Sequence, residues 1–180
     1  MIKYVWIVFL LLCYLSFAWS VIGVFKLRES KLGLHYRFLQ FASLSFWIVS
    51  AYILFLGQFG PSIAGIGLAL SIFSLSIFWW ARMTIAGKEP PLVFSKIQPR
   101  VLITEGPFRY VPHPFYLCYS TLYIGHAILL SSYILLFLAL GLVALYMYAA
   151  VEEDRELMGS ELSTQYQNYK KRFSYFYFRK

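Results

Sequence analysis

Four long apolar runs, which together hold about five bilayer spans, constrain this chain more than any motif does. An α-helix rises 1.5 Å per residue, so about 20 residues cover a hydrocarbon core of about 30 Å. The first run, Tyr4 to Phe25, and the second, Phe38 to Leu56, meet that length. Gly60 and Pro61 mark a turn into the third, residues 61–81, because proline is tolerated in the first turn of a helix. From Phe115 to Val151 the chain is apolar for 37 residues, too long for one span and enough for two short ones. Ser131 and Ser132 are the expected turn, giving a helical hairpin of residues 115–130 and 133–151. The fold class expected is all-α integral membrane: about five transmembrane helices in one domain, with a carboxy-terminal hairpin and an interfacial tail. Composition agrees, since 13% of the residues are charged against about 25% in a soluble domain. The run after Met1 continues too far for a signal peptide and has no small-residue cleavage site, so a retained span is expected.

Between the third and fourth runs, residues 82–114 contain Pro90, Pro91, Pro99, Pro107, Pro112 and Pro114, which rule out one continuous helix and predict a structured loop. The tail, residues 152–180, begins helical and ends rich in aromatic and basic residues, a mixture suited to the membrane interface. With five spans, fifteen of the sixteen Lys and Arg residues fall on one face and Lys3 alone on the other. The positive-inside rule then places the amino terminus outside and the carboxyl terminus in the cytoplasm, in a plasma membrane of the bacterial inner-membrane kind. All eight acids share the inner face, so the net charge of +8 reads as attraction to anionic lipid heads and not as nucleic-acid binding. Cys13 and Cys118 read as core thiols without metal-type spacing, Gly65-Ile-Gly67 as a close helix contact, and His35 as an interfacial residue. His126, inside the fourth run, reads as a neutral imidazole bonded to a neighbouring helix.

Chemistry concentrates in two groups flanking the hairpin: Glu105 to Tyr116, containing Arg109, Tyr110, His113 and Tyr116, and the acidic run Glu152, Glu153, Asp154, Arg155, Glu156. A hairpin returns to the side it left, so the groups become neighbours at the cytoplasmic mouth of a helix pair. Imidazole, phenols, guanidinium and clustered carboxylates there can bind a polar ligand at membrane-interface depth. Taken singly, the same residues serve as interfacial anchors, topology signals and solvated charges.

At these residues the sequence resembles the integral-membrane methyltransferases of the isoprenylcysteine carboxyl methyltransferase and phospholipid methyltransferase superfamily. Gly106, Pro107, Phe108, His113, Pro114 and Tyr116 match its first motif. Glu153 with Asp154, or Glu152 with Glu153, matches its acidic pair, and Leu157, Tyr166 and Tyr169 its tail. The resemblance covers roughly residues 76 to 175. It implies S-adenosylmethionine as cofactor, held by Arg109, Tyr110, His113, Tyr116, Glu152, Glu153 and Asp154, with His113 and Glu153 as the catalytic pair. It also implies a lipophilic or membrane-associated methyl acceptor: a prenylcysteine carboxylate, a phospholipid amine or a small thiol. Pro112 stands where the family has arginine, and Arg109 or Arg100 is expected to supply the missing charge. The aromatic stripe Tyr116, Tyr119, Tyr123 is the expected approach for the acceptor, or equally a packing surface. Two rival readings are an NADPH-dependent steroid reductase-like enzyme, from which Phe115 before Tyr116 departs, and a non-catalytic relative of the methyltransferases.

Overall fold

The computed structural model describes residues 8–9, 11–17, 34–56, 64–86 and 101–173. Its helices in chain order are α1 (residues 11–17), α2 (Leu34–Phe55), α3 (Ala64–Thr84), α4 (Pro114–Leu129), α5 (Tyr133–Met158) and α6 (Ser163–Lys170). A 3-10 turn, Gly106–Arg109, precedes α4, and no strand occurs among the described residues. Hydrocarbon offers the backbone no hydrogen bonds, so a helix is the segment that can satisfy itself there. Among the described residues, three helices are long and apolar enough to cross a membrane: Arg37–Phe55 within α2, Gly65–Thr84 within α3, and α5. The chain is thus an all-α membrane protein. α4, with 16 residues, covers about 24 Å. The expected first span lies partly, and Arg100 and His35's side chain wholly, outside the described residues.

α4 is the central helix. It packs along α3 on one side and pairs with α5 on the other, while α2 lies against α5. The α3–α4 contact is backbone-close: a Cβ on Gly67 would sit 2.5 Å from the Gly125 carbonyl oxygen and 2.5 Å from Leu129 N. Gly65 has nothing within 4 Å of its Cβ position, so only the second glycine of the Gly-x-Gly pair makes the expected close contact. Ser74 Oγ adds a buried hydrogen bond across the same pair, donating to the Cys118 carbonyl at 2.6 Å.

Between α2 and the hairpin, Phe46, Ile53 and Leu54 meet Tyr123, Ala127, Leu135, Leu142 and Tyr146. Cys13 and Phe17, four residues apart on α1, join Phe78, Cys118 and Leu122. Outward faces carry Phe41, Ile48, Phe55, Met83, Phe137 and Met147, all exposed, as a bilayer-facing surface requires. At the hairpin tip Ser131 adopts φ +49° and Ser132 caps α5, its Oγ accepting from Leu135 N at 3.3 Å, so the turn falls where the paired serines predict it.

His126 departs from expectation. Its Nδ1–H donates to the Leu122 carbonyl one turn back on its own helix at 3.0 Å, and not to a neighbouring helix. Trp47 and Phe9 supply the ring surfaces around it, at centroid distances of 5.0 and 6.5 Å.

A carboxylate–imidazole site at the hairpin mouth

Gly106 sets the entry to the site. It holds φ +56°, and a Cβ there would collide with the Thr84 hydroxyl at the end of α3, so the turn is pressed against that helix. Pro107 is the second residue of the 3-10 turn, and Tyr110 N closes it on the Pro107 carbonyl at 3.0 Å. His113 then occupies the position before α4, with Pro114 as the first helical residue. This places the imidazole at the helix start, facing the last turns of α5.

α5 does not end with the apolar run at Val151 but continues to Met158, so the acids lie within the helix and are spread around its circumference. Glu153 and Asp154 turn inward, with side chains 18% and 10% exposed, whereas Glu152 turns outward to pair with exposed Arg155. His113 bridges the inward pair: Nε2 donates to Asp154 Oδ1 at 2.8 Å and Nδ1 lies 3.3 Å from Glu153 Oε2. The Tyr116 hydroxyl donates to the same Glu153 oxygen at 3.0 Å, and its ring stacks 5.5 Å from the imidazole. Burial opposes a charge on His113, but the hydrogen bonds to Asp154 and Glu153 outweigh it and push the imidazole pKa up to about 9. The site is therefore an imidazolium held between two carboxylates.

Four of the expected site residues, His113, Tyr116, Glu153 and Asp154, come together. Arg109 and Tyr110 do not join them: both are exposed, and the Tyr110 ring lies 6.0 Å from Trp80. The 3-10 turn that seats Phe108 inward carries the next two side chains outward. Glu152 also stays outside, because it lies about 200° around the helix from Asp154 and pairs with Arg155. The stripe of Tyr116, Tyr119 and Tyr123 packs inside the hairpin against Tyr146, at 5.7, 5.3 and 6.2 Å, and Ser43 Oγ lies 3.2 Å from the Tyr146 hydroxyl.

Lys170 is a basic side chain that reaches the inward pair, bonding to Asp154 Oδ2, and Tyr166 donates its hydroxyl to Asp154. Sequence reasoning assigned Lys170 to an interfacial tail. The signal that points to it is spacing: Tyr166, Tyr169 and Lys170 share one face of a short helix.

S-adenosylmethionine fits these residues in one respect the geometry makes plain. Glu153 is fixed through Oε2, while Oε1 has no hydrogen-bond partner among the described residues and the side chain keeps partial exposure. It is a pre-oriented acceptor for a hydroxyl or an ammonium group.

Residues 62–159, more than half of the chain, match the family described as Phospholipid methyltransferase, a stretch that contains α3, the His113 segment and the whole α4–α5 hairpin. No curated protein and no solved structure matches the chain. The Gly67–Gly125 contact of the central helices and the acid–imidazole cluster lie in the matched stretch, and the chain belongs to the phospholipid methyltransferase family of membrane methyltransferases.

Proposed function

We propose that the protein transfers a methyl group from S-adenosylmethionine to a lipophilic or membrane-associated acceptor at the mouth of the α4–α5 hairpin. The observation that carries this reading is His113, bridged between Glu153 and Asp154 at the mouth of the hairpin, in a site that leaves one Glu153 oxygen without a partner among the described residues. When bound, the cofactor supplies a methyl group already activated on a sulfonium, so no covalent nucleophile is required of the chain. Glu153 receives the cofactor's hydroxyl or amino group, and His113 and Tyr116 hold that carboxylate in one orientation. Tyr116 and the apolar α4–α5 surface exclude water from the reacting edge.

Acceptor chemistry in this reading is a phospholipid amine, a prenylcysteine carboxylate or a small thiol. The α4 stripe is filled by Tyr146, which favours arrival of the acceptor at the hairpin mouth over a path along the stripe. Five spans with an external amino terminus bring the site to the cytoplasmic side, where the cofactor is found. Reporter fusions at Gln58 and Ser132 should then read external, and fusions after Lys180 cytoplasmic.

Labelled cofactor incubated with purified protein, a membrane lipid extract and, separately, a soluble metabolite pool tests the acceptor class. Label is expected in the lipid fraction and absent with His113→Ala. Label confined to the soluble pool would exclude a membrane acceptor.

A further inference from the structure

Asp154 is bonded beyond what its partnership with His113 requires. Oδ1 accepts from His113 Nε2 and from the Tyr166 hydroxyl, and Oδ2 accepts from Lys170 Nζ. Two of these three donors come from α6, which lies beyond the stretch that matches the family.

The helix that carries them is itself firmly seated. After α5 ends, Ser160 Oγ donates to the Leu157 carbonyl at 2.8 Å and accepts from Leu162 N at 3.2 Å, which fixes the turn into α6. Tyr166, Tyr169 and Phe173 pack on Leu157 and Leu102. The Tyr169 hydroxyl donates to the Phe108 carbonyl at 2.6 Å. One short helix thus ties the end of α5 to the 3-10 turn that leads to His113.

A carboxylate with a single partner can rotate about its side-chain bonds, whereas one held by donors from two separate segments has a single orientation available. Fixing Asp154 fixes the imidazole plane, and through Nδ1 the imidazole restrains Glu153. We propose that α6 is a strap that positions the site: Tyr166 and Lys170 fix the Asp154 carboxylate, which holds His113 in the orientation that presents Glu153 to the cofactor. Tyr166 and Lys170 are positioning residues, and Asp154 is an internal support whose oxygens are taken by the chain itself. The cofactor half of this inference rests on the function proposed above; the strap's hold on His113 does not.

Full-length protein in lipid nanodiscs, with nitrogen-labelled histidine, separates the two halves. The chain has three histidines, so loss of a signal in His113→Gln assigns the resonance. In the native protein the imidazole N–H groups face Glu153 and Asp154 of α5, beside Tyr116 of α4 and Tyr166 and Lys170 of α6, and should exchange slowly with water at neutral pH. In the Tyr166→Phe/Lys170→Met double variant exchange should be at least about tenfold faster, and S-adenosylmethionine affinity weaker by about tenfold, the loss expected for a charge-assisted hydrogen bond. Lys170→Arg, which keeps the cation, should retain both values within about threefold, and Lys171→Met, on the exposed side of the tail, should change neither. Should the double variant fail to fold, the Tyr166→Phe and Lys170→Met single variants carry the same expectations at smaller amplitude. Native exchange and affinity in the variants would overturn the strap. Faster exchange with unchanged affinity would overturn its link to the cofactor. Absence of cofactor binding by the native protein, with strap-dependent exchange intact, would overturn the proposed function and leave the strap standing.

Discussion

His113→Ala is expected to lose cofactor binding by at least about a hundredfold and to destabilise the protein by about 3 kcal/mol, because it removes the buried cation that Glu153 and Asp154 share. Removing the imidazole leaves Glu153 and Asp154 facing a void, with Lys170 the remaining cation on Asp154. The stability effect has a definite pH dependence. The imidazole pKa is raised from 6.5 in the unfolded chain to about 9 in the fold, so the stabilisation is fully present below about 6.5 and is lost as pH rises through 9. Unfolding in detergent should therefore show a wide gap between native protein and His113→Gln at pH 6 that narrows by pH 10. A gap independent of pH would mean that His113 acts by packing alone.

Gly67→Leu is expected to disrupt the protein more than any other single change in the spans, at a cost of about 3 kcal/mol or more from overpacking. The obstacle is backbone: the Gly125 carbonyl and Leu129 occupy the space a side chain would need, and neither can rotate aside as a side chain can. Moving α4 away from α3 would also break the Ser74–Cys118 hydrogen bond and shift the helix that begins at His113. Gly65→Leu is the control, since that position opens to empty space two residues away. Unfolding midpoints should fall steeply for the first variant and stay near native for the second. Equal effects would indicate that both glycines act through helix propensity, worth about 1 kcal/mol each.

The parts of this protein legible in its sequence are those governed by a bulk rule. Run length and turn chemistry placed α2, α3 and the hairpin, including the Ser131–Ser132 turn, because hydrocarbon enforces helix and the serines supply the cap. Hairpin return joined His113 and Tyr116 to Glu153 and Asp154 across the apolar runs. What escaped depends on azimuth and on tertiary neighbours. Glu152, Glu153 and Asp154 are three consecutive carboxylates in the sequence, and the rotation of α5 about its axis decides which two face in. Gly65 and Gly67 differ only in which meets α4. Lys170 looked like one more base in an interfacial tail, since nothing local tells whether such a tail lies on lipid or folds back on an acid. Arg109, chosen by proximity in sequence to stand in for the arginine absent at Pro112, lies on the outward side of its turn.

Equilibrium binding of labelled S-adenosylmethionine to the purified full-length protein in nanodiscs, with NADPH as competitor and Glu153→Gln as the matched variant, tests the central claim most directly. The account predicts saturable binding of one cofactor per chain, undisturbed by NADPH and weakened about tenfold or more by Glu153→Gln, in line with loss of a charge-assisted hydrogen bond. Absence of binding by the native protein, or binding that Glu153→Gln leaves unchanged, would contradict it.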